Sequence, residues 1–139
     1  MNKNKKINIA IVGLGNIGIN LYIHLNKNKK IIVKKNNVNF EVKYVSAQNK
    51  NKKRKIKIPK KKWLNNYLQA AKLKDIDVVV ELIGGEEGPA KKLVFNSIKN
   101  KKHVITANKA LISKYGDQLA LLAEKNKVNL EFEASVAGG

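Results

Sequence analysis

The chain has 139 residues, with 29 lysines and arginines against 10 aspartates and glutamates, a formal net charge of +19 and no cysteine. That length suits one domain burying about two-thirds of its unfolded surface. The missing thiols exclude disulfides and thiolate metal sites and fit a cytoplasmic location.

The opening stretch MNKNKKINIAIVGLG imitates a signal peptide, but Asn8 interrupts the apolar run and no small-residue cleavage site follows. The run is also too short to span a bilayer, so targeting and membrane readings are both rejected. The charge raises nucleic acid as a partner. Almost all of it is lysine, however, with Arg54 the single arginine and asparagine interleaved throughout. Base readout and buried phosphate clamps favour the planar arginine fork. A lysine and asparagine drift over an ordinary surface explains the pattern better than a specific nucleic-acid site. Weak, salt-sensitive attraction to polyanions is expected of any such polycation.

Strand and helix alternate along the chain. Residues 7–12 form a short β-branched run ending in glycine, the pattern of a buried strand. A helix follows from about Asn16, with Ile17, Leu21 and Leu25 on one face and a blurred end at Ile31, Ile32 and Val33. Residues 40–47 alternate as a second strand. Residues 48–62 are basic and contain Pro59, which predicts an exposed loop. Leu64, Tyr67, Leu68 and Ala71 predict a helix over 63–73, and 75–82 is the most strand-like stretch. A helix opens at Glu86 or Glu87 and runs to about Lys99, with Pro89 in its first turn. Then come a strand over 103–106, a helix over 110–126 with Leu111, Leu119, Leu122 and Ala123 inward, and a strand over 128–133. No linker or repeat divides the chain. The pattern predicts an α/β domain over 1–139, with a doubly wound, mostly parallel sheet covered on both faces.

The first turn reads Gly13-Leu14-Gly15-Asn16-Ile17-Gly18, a G-x-G-x-x-G between a buried strand and a helix. Its glycines suit a tight turn, close approach of a pyrophosphate and close helix packing, and the free N–H groups of the helix start attract phosphate. An NAD site commonly has an acid at the end of the second strand. Here Ser46-Ala-Gln48-Asn-Lys50 carries none, and lysines with Arg54 follow, which favours the 2′-phosphate of NADP. Two later strand ends, Ile83-Gly84-Gly85 and Thr106-Ala-Asn-Lys109, face the same side, where ligands of open α/β sheets bind. Lys109 is placed to contact the cofactor or to serve in proton transfer. Glu86 and Glu87 read as helix-start acids. His24 and His103 lack partners at ligand spacing, and Trp63 reads as a core residue.

Together these stretches resemble the N-terminal part of homoserine dehydrogenase. The resemblance runs through IAIVGLGNIG, VSAQNKNKKR, DIDVVVELIGGEEGPAKKLV, KHVITANKALISKYGDQLALLAEKN and FEASVAGG, in the family's order and over nearly the whole chain. It implies a Rossmann-type dinucleotide-binding domain and NAD(P)-dependent reduction of aspartate semialdehyde to homoserine, on the route to threonine and methionine. The matching positions put Leu14, Gly15, Asn16 and Ile17 around the pyrophosphate, Ile83 and Gly84 beside the cofactor, and Lys109 near nicotinamide and substrate. Gln48 stands where the bacterial form often has an arginine for the 2′-phosphate, so NADP selectivity would rest on neighbouring lysines such as Lys50. The resemblance further implies a sodium site using the Glu133 carboxylate and the carbonyls of Val136 and Gly138, incomplete within this chain. It also implies a following catalytic and dimerisation domain, absent here, that carries the substrate acids and main proton donor and makes the complete protein a homodimer or tetramer. The remaining alternatives are another semialdehyde or hydroxy-acid dehydrogenase, or a basic module for nucleic acid.

Overall fold

A computed structural model describes residues 5–133 of the chain. Five strands form a single sheet in the order β2-β1-β3-β4-β5, and all four pairings are parallel. They are β1 (Lys5–Val12), β2 (Val38–Ser46), β3 (Val78–Glu81), β4 (His103–Thr106) and β5 (Leu130–Phe132). Four helices connect them: α1 (Asn16–Lys27) and α2 (Lys29–Asn36) before β2, α3 (Pro89–Lys99) before β4, and α4 (Lys109–Asn126) before β5.

The central strands are apolar on both faces because helices cover both, as buried parallel sheets require. Along β1, Ile9 and Ile11 point into one core with Ile19 and Tyr22 of α1, Val42 and Val45 of β2, and Val80 of β3. Ala10 and Val12 point the other way, with Val79 of β3 and Leu93 of α3. In β4, Val104 pairs with Val79 and so lies on that second face. It meets Val94 and Ile98 of α3 and Leu111, Leu119 and Ala123 of α4. The doubly wound α/β fold expected from the sequence is the fold observed. From β1 the chain moves to one side to make β2 and then to the other side to make β3. The carboxyl ends of β1 and β3 therefore form a topological switch point, where ligands of such sheets bind.

Several local expectations change. Residues 63–73 do not form one α-helix. Leu64 donates its N–H to the Val45 carbonyl at 2.9 Å, which keeps 63–64 extended beside β2. Only a five-residue 3-10 turn, Tyr67–Ala71, follows. It is capped by Asn66, whose side chain accepts from Leu68 N–H, and by Gln69, whose side chain accepts from Asn65 and Asn66 N–H. The blurred stretch after α1 is a separate helix, α2. On α1 the predicted face packs in part: Leu21 and Leu25 lie against the core beside the buried Gly18, Ile19 and Tyr22, while Ile17 is exposed. Helix α3 begins at Pro89, so Glu86 and Glu87 precede it in the loop, where Glu87 pairs with Lys91 and Lys114. The basic loop over 48–62 is largely exposed but buries Ile58.

Candidate functional site

The turn after β1 shows which glycine does what. Gly13 has φ +109°, a conformation side chains avoid, and a Cβ there would sit 2.6 Å from the Leu82 carbonyl group. At Gly18 a Cβ would come within 2.1 Å of the Gly13 oxygen. These two positions are glycine because backbone lies against them. Gly15 differs. It is exposed, and a Cβ there would meet nothing within 4 Å. It is also the N-cap of α1, with no side-chain cap and no acid in the first turn. The orphan N–H groups of that turn, from Asn16 and Ile17 onward, are therefore left for an anion at the positive end of the helix. These residues fit the pyrophosphate of a dinucleotide.

A cleft of about 670 Å³ opens above the turn, lined by Gly13, Leu14, Gly15, Gln48, Lys52, Arg54 and Ile83 among others. Its two rims are built differently. On the β3 side a buried hydrogen-bonded network holds the backbone. Glu81 is fully buried, and one of its carboxylate oxygens accepts from Ile83 N–H at 2.8 Å and Gly84 N–H at 3.0 Å. The other accepts from the Thr106 hydroxyl at 2.5 Å. That hydroxyl in turn accepts from Asn108 N–H at 3.0 Å. Asn108 caps α4 by accepting from Leu111 N–H, and its amide donates to the Gly85 carbonyl. Glu81 and Thr106 are register partners across β3 and β4, so the network joins two strand ends and a helix start. Farther along the same loop, the Tyr115 hydroxyl bonds Glu87 and, with Lys114 and Lys91, holds its carboxyl below the usual range.

The β2 side is an exposed basic loop. Gln48 and Lys52 line the main cleft, whereas Lys50 lines an adjoining cavity of about 630 Å³ over Trp63. Arg54 lines both. It lies half-buried, with Trp63 beneath its guanidinium at 5.3 Å.

The predicted residues thus gather unevenly. Gly13, Leu14, Gly15, Gln48 and Ile83 share the cleft, and Asn16, with Gly15, lines a smaller basic cavity beside it. Gly84 is exposed at the same strand end. Thr106 is fully buried with its hydroxyl engaged by Glu81, so it supports the rim instead of facing the cleft. Lys109 is exposed as the first residue of α4, at the carboxyl end of β4. Glu133 follows β5 and donates its N–H to the Thr106 carbonyl at 3.0 Å, while Val136 and Gly138 lie outside the described residues. The His103 ring nitrogen accepts from Asn129 N–H, and Trp63 packs on the core.

Sequence reasoning missed Glu81 and Asn108. A glutamate ending a strand that reads as buried on both faces is itself a signal, because a buried carboxylate must find donors.

The family model described as homoserine dehydrogenase, NAD binding domain, matches residues 13–133. The chain belongs to the homoserine dehydrogenase family. The homoserine dehydrogenase of Neisseria gonorrhoeae is 38% identical over 135 residues, covering 97% of this chain and 31% of that protein. The crystal structure of S. aureus homoserine dehydrogenase at pH 7.5 superposes with a TM-score of 0.85 and 36% identity, over 94% of this chain and 34% of the other. A hyperthermophilic archaeal homoserine dehydrogenase in complex with NADPH shares the fold at a TM-score of 0.72 and 17% identity, over 94% of this chain and 44% of the other. The chain spans about a third of the length of the first two homoserine dehydrogenases. The matched stretch takes in the glycine turn, both rims of the cleft and the start of α4. No helix among the described residues is long and apolar enough to cross a membrane.

Proposed function

We propose that this chain is the cofactor-binding part of a cytoplasmic homoserine dehydrogenase and holds NADP(H) across the carboxyl ends of β1 and β3. The enzyme it belongs to reduces aspartate 4-semialdehyde to homoserine, toward threonine and methionine. One observation carries the cofactor reading: Gly15 is open to solvent above an uncapped helix start, while the flanking Gly13 and Gly18 are closed by backbone. A pyrophosphate there takes the first-turn N–H groups of α1.

The preference for NADP over NAD is supported by the end of β2, where Gln48, Lys50 and Lys52 stand without an acid to repel a 2′-phosphate. Ile83 and Gly84 supply backbone for the nicotinamide half, and Thr106 holds them through Glu81. The cofactor supplies the hydride. Lys109 serves as a cofactor or substrate contact at the start of α4. The substrate acids, the main proton donor and the subunit contacts of a dimer or tetramer lie outside residues 1–139. A sodium site would draw on Glu133, Val136 and Gly138 among the roughly six oxygens a hard cation takes.

Titration of the purified chain with NADPH and with single-stranded RNA tests the reading. Saturable NADPH binding with no homoserine formation from the semialdehyde is expected. Turnover by the chain alone would place the chemistry within residues assigned here to the cofactor. RNA affinity indifferent to NADPH would favour the nucleic-acid alternative.

A further inference from the structure

Among 29 basic residues Arg54 is the only arginine, and it stands where lysine cannot do the same work. Its guanidinium reaches four backbone carbonyls: Leu14 at 3.3 Å, Asn49 at 2.7 Å, Lys50 at 3.2 Å and Lys52 at 3.1 Å. A lysine ammonium concentrates three donors at one point, while the planar fork spreads five N–H groups over a wide edge. One of the four carbonyls belongs to the phosphate turn and three to the basic loop, so Arg54 ties the loop after β2 onto the turn after β1. Its underside rests against Trp63, which is itself fixed beside Val45 of β2.

Around it stand Lys50, Lys52, Lys53 and Lys55, which repel one another and gain nothing by packing together. Over residues 49–55 the loop's other bonds are few: Asn51 N–H to the Asn49 side chain at 3.1 Å, Lys52 N–H to the Asn49 carbonyl at 3.4 Å and one tether from Lys55 to the Asn20 side chain of α1 at 3.1 Å.

Resting on the NADP(H) reading above, we propose that Arg54 is a positioning residue that creates selectivity for the 2′-phosphate without binding it. All the hydrogen bonds it donates go to the backbone. It turns the carbonyls of residues 49, 50 and 52 inward and holds Lys52 at the cleft, where the second strand of such folds reads the ribose.

The test is R54K, which keeps the charge and removes the fork. NADPH affinity should fall about tenfold, the scale of one charged hydrogen bond, while NADH affinity moves less than about threefold. Amide hydrogen exchange at Asn51 and Lys52, measured without nucleotide, should quicken at least tenfold on the same scale. K52Q should lower the NADPH preference yet leave loop exchange as in wild type, separating the contact from its scaffold. An R54K chain with the wild-type NADPH-to-NADH ratio overturns the proposal. So does unchanged loop exchange in R54K, which removes the clamp whatever the nucleotide result. If the wild-type chain binds neither nucleotide, the cofactor reading itself falls and takes the selectivity claim with it, while the exchange measurement still decides the clamp.

Discussion

The two rims of the cleft solve one problem, holding backbone still beside a ligand, by opposite means. The β3–β4 rim is interior: Glu81, Thr106 and Asn108 are buried, and each finds hydrogen-bond partners in its neighbours or in the turn they support. The rim after β2 is exterior, lysine-rich and anchored by one guanidinium on four carbonyls. The difference teaches where change is tolerated. A buried network cannot lose a member without stranding the others, whereas an exposed loop can alter its charges at little cost in stability as long as its anchor stays.

Glu81→Ala breaks the comparison at its strongest point, since it removes the acceptor of the part-buried Ile83 and Gly84 N–H groups and strands the buried Thr106 hydroxyl. The domain should lose about 3 kcal/mol in urea unfolding. A loss under about 1 kcal/mol would mean that water replaces the carboxylate and the rim is not a sealed network.

Gly15→Val tests the seam where the rims meet. Nothing surrounds its Cβ, so stability should change by no more than about 1 kcal/mol, mostly through the altered N-cap, while NADPH binding falls on the order of a hundredfold. Gly18→Ala in the same turn should do the reverse and unfold the domain, because its Cβ meets the Gly13 oxygen. Calorimetry of both variants checks this crossover, and equal stability losses would place the phosphate turn wrongly.

Lys50 and Lys52 reversed together to Glu should leave stability within about 0.5 kcal/mol and weaken NADPH about tenfold more than NADH. Equal losses for both nucleotides, measured by fluorescence titration, would reduce the exterior rim to general attraction.

The smallest effect lies away from both rims. Hydrogen bonding from Lys43, then from the Tyr44 hydroxyl, holds the Asp75 carboxyl below its ordinary value. The folded chain therefore binds fewer protons here than the unfolded one, and stability rises with pH across that window. The contribution is complete above the ordinary aspartate range and is lost as pH falls through the lowered value. Asp75→Asn should flatten a slight acid-side slope in thermal melts. Because the Asp75 and Lys43 side chains are only part-buried, solvent screens the pair and the change should be the smallest of the set.

What could be read in the sequence was local or periodic. The three glycines, Pro89 at a helix start and the apolar spacing of Leu111, Leu119 and Ala123 are short-range patterns whose physical meaning is the same in any fold. Periodicity failed over 63–73, where Leu64, Tyr67 and Ala71 sit at helical spacing but a bridge to Val45 pulls the first residues into extended backbone. On α1 it held in part: Leu21 and Leu25 pack against the core, but Ile19 and Tyr22 are the buried centre of the face and Ile17 is exposed, because the sheet's position decides how far round the helix the buried stripe reaches.

By itself, then, the sequence determined the alternating α/β order, the glycine turn after β1 and the absence of an acid after β2, since each depends on residues near one another in the chain. Tertiary structure alone decided that Glu81 meets Thr106, 25 residues on, and that Arg54 reaches back 40 residues to Leu14. Parallel pairing brings distant strand ends side by side, and only there can one buried carboxylate or one guanidinium satisfy groups from several segments at once.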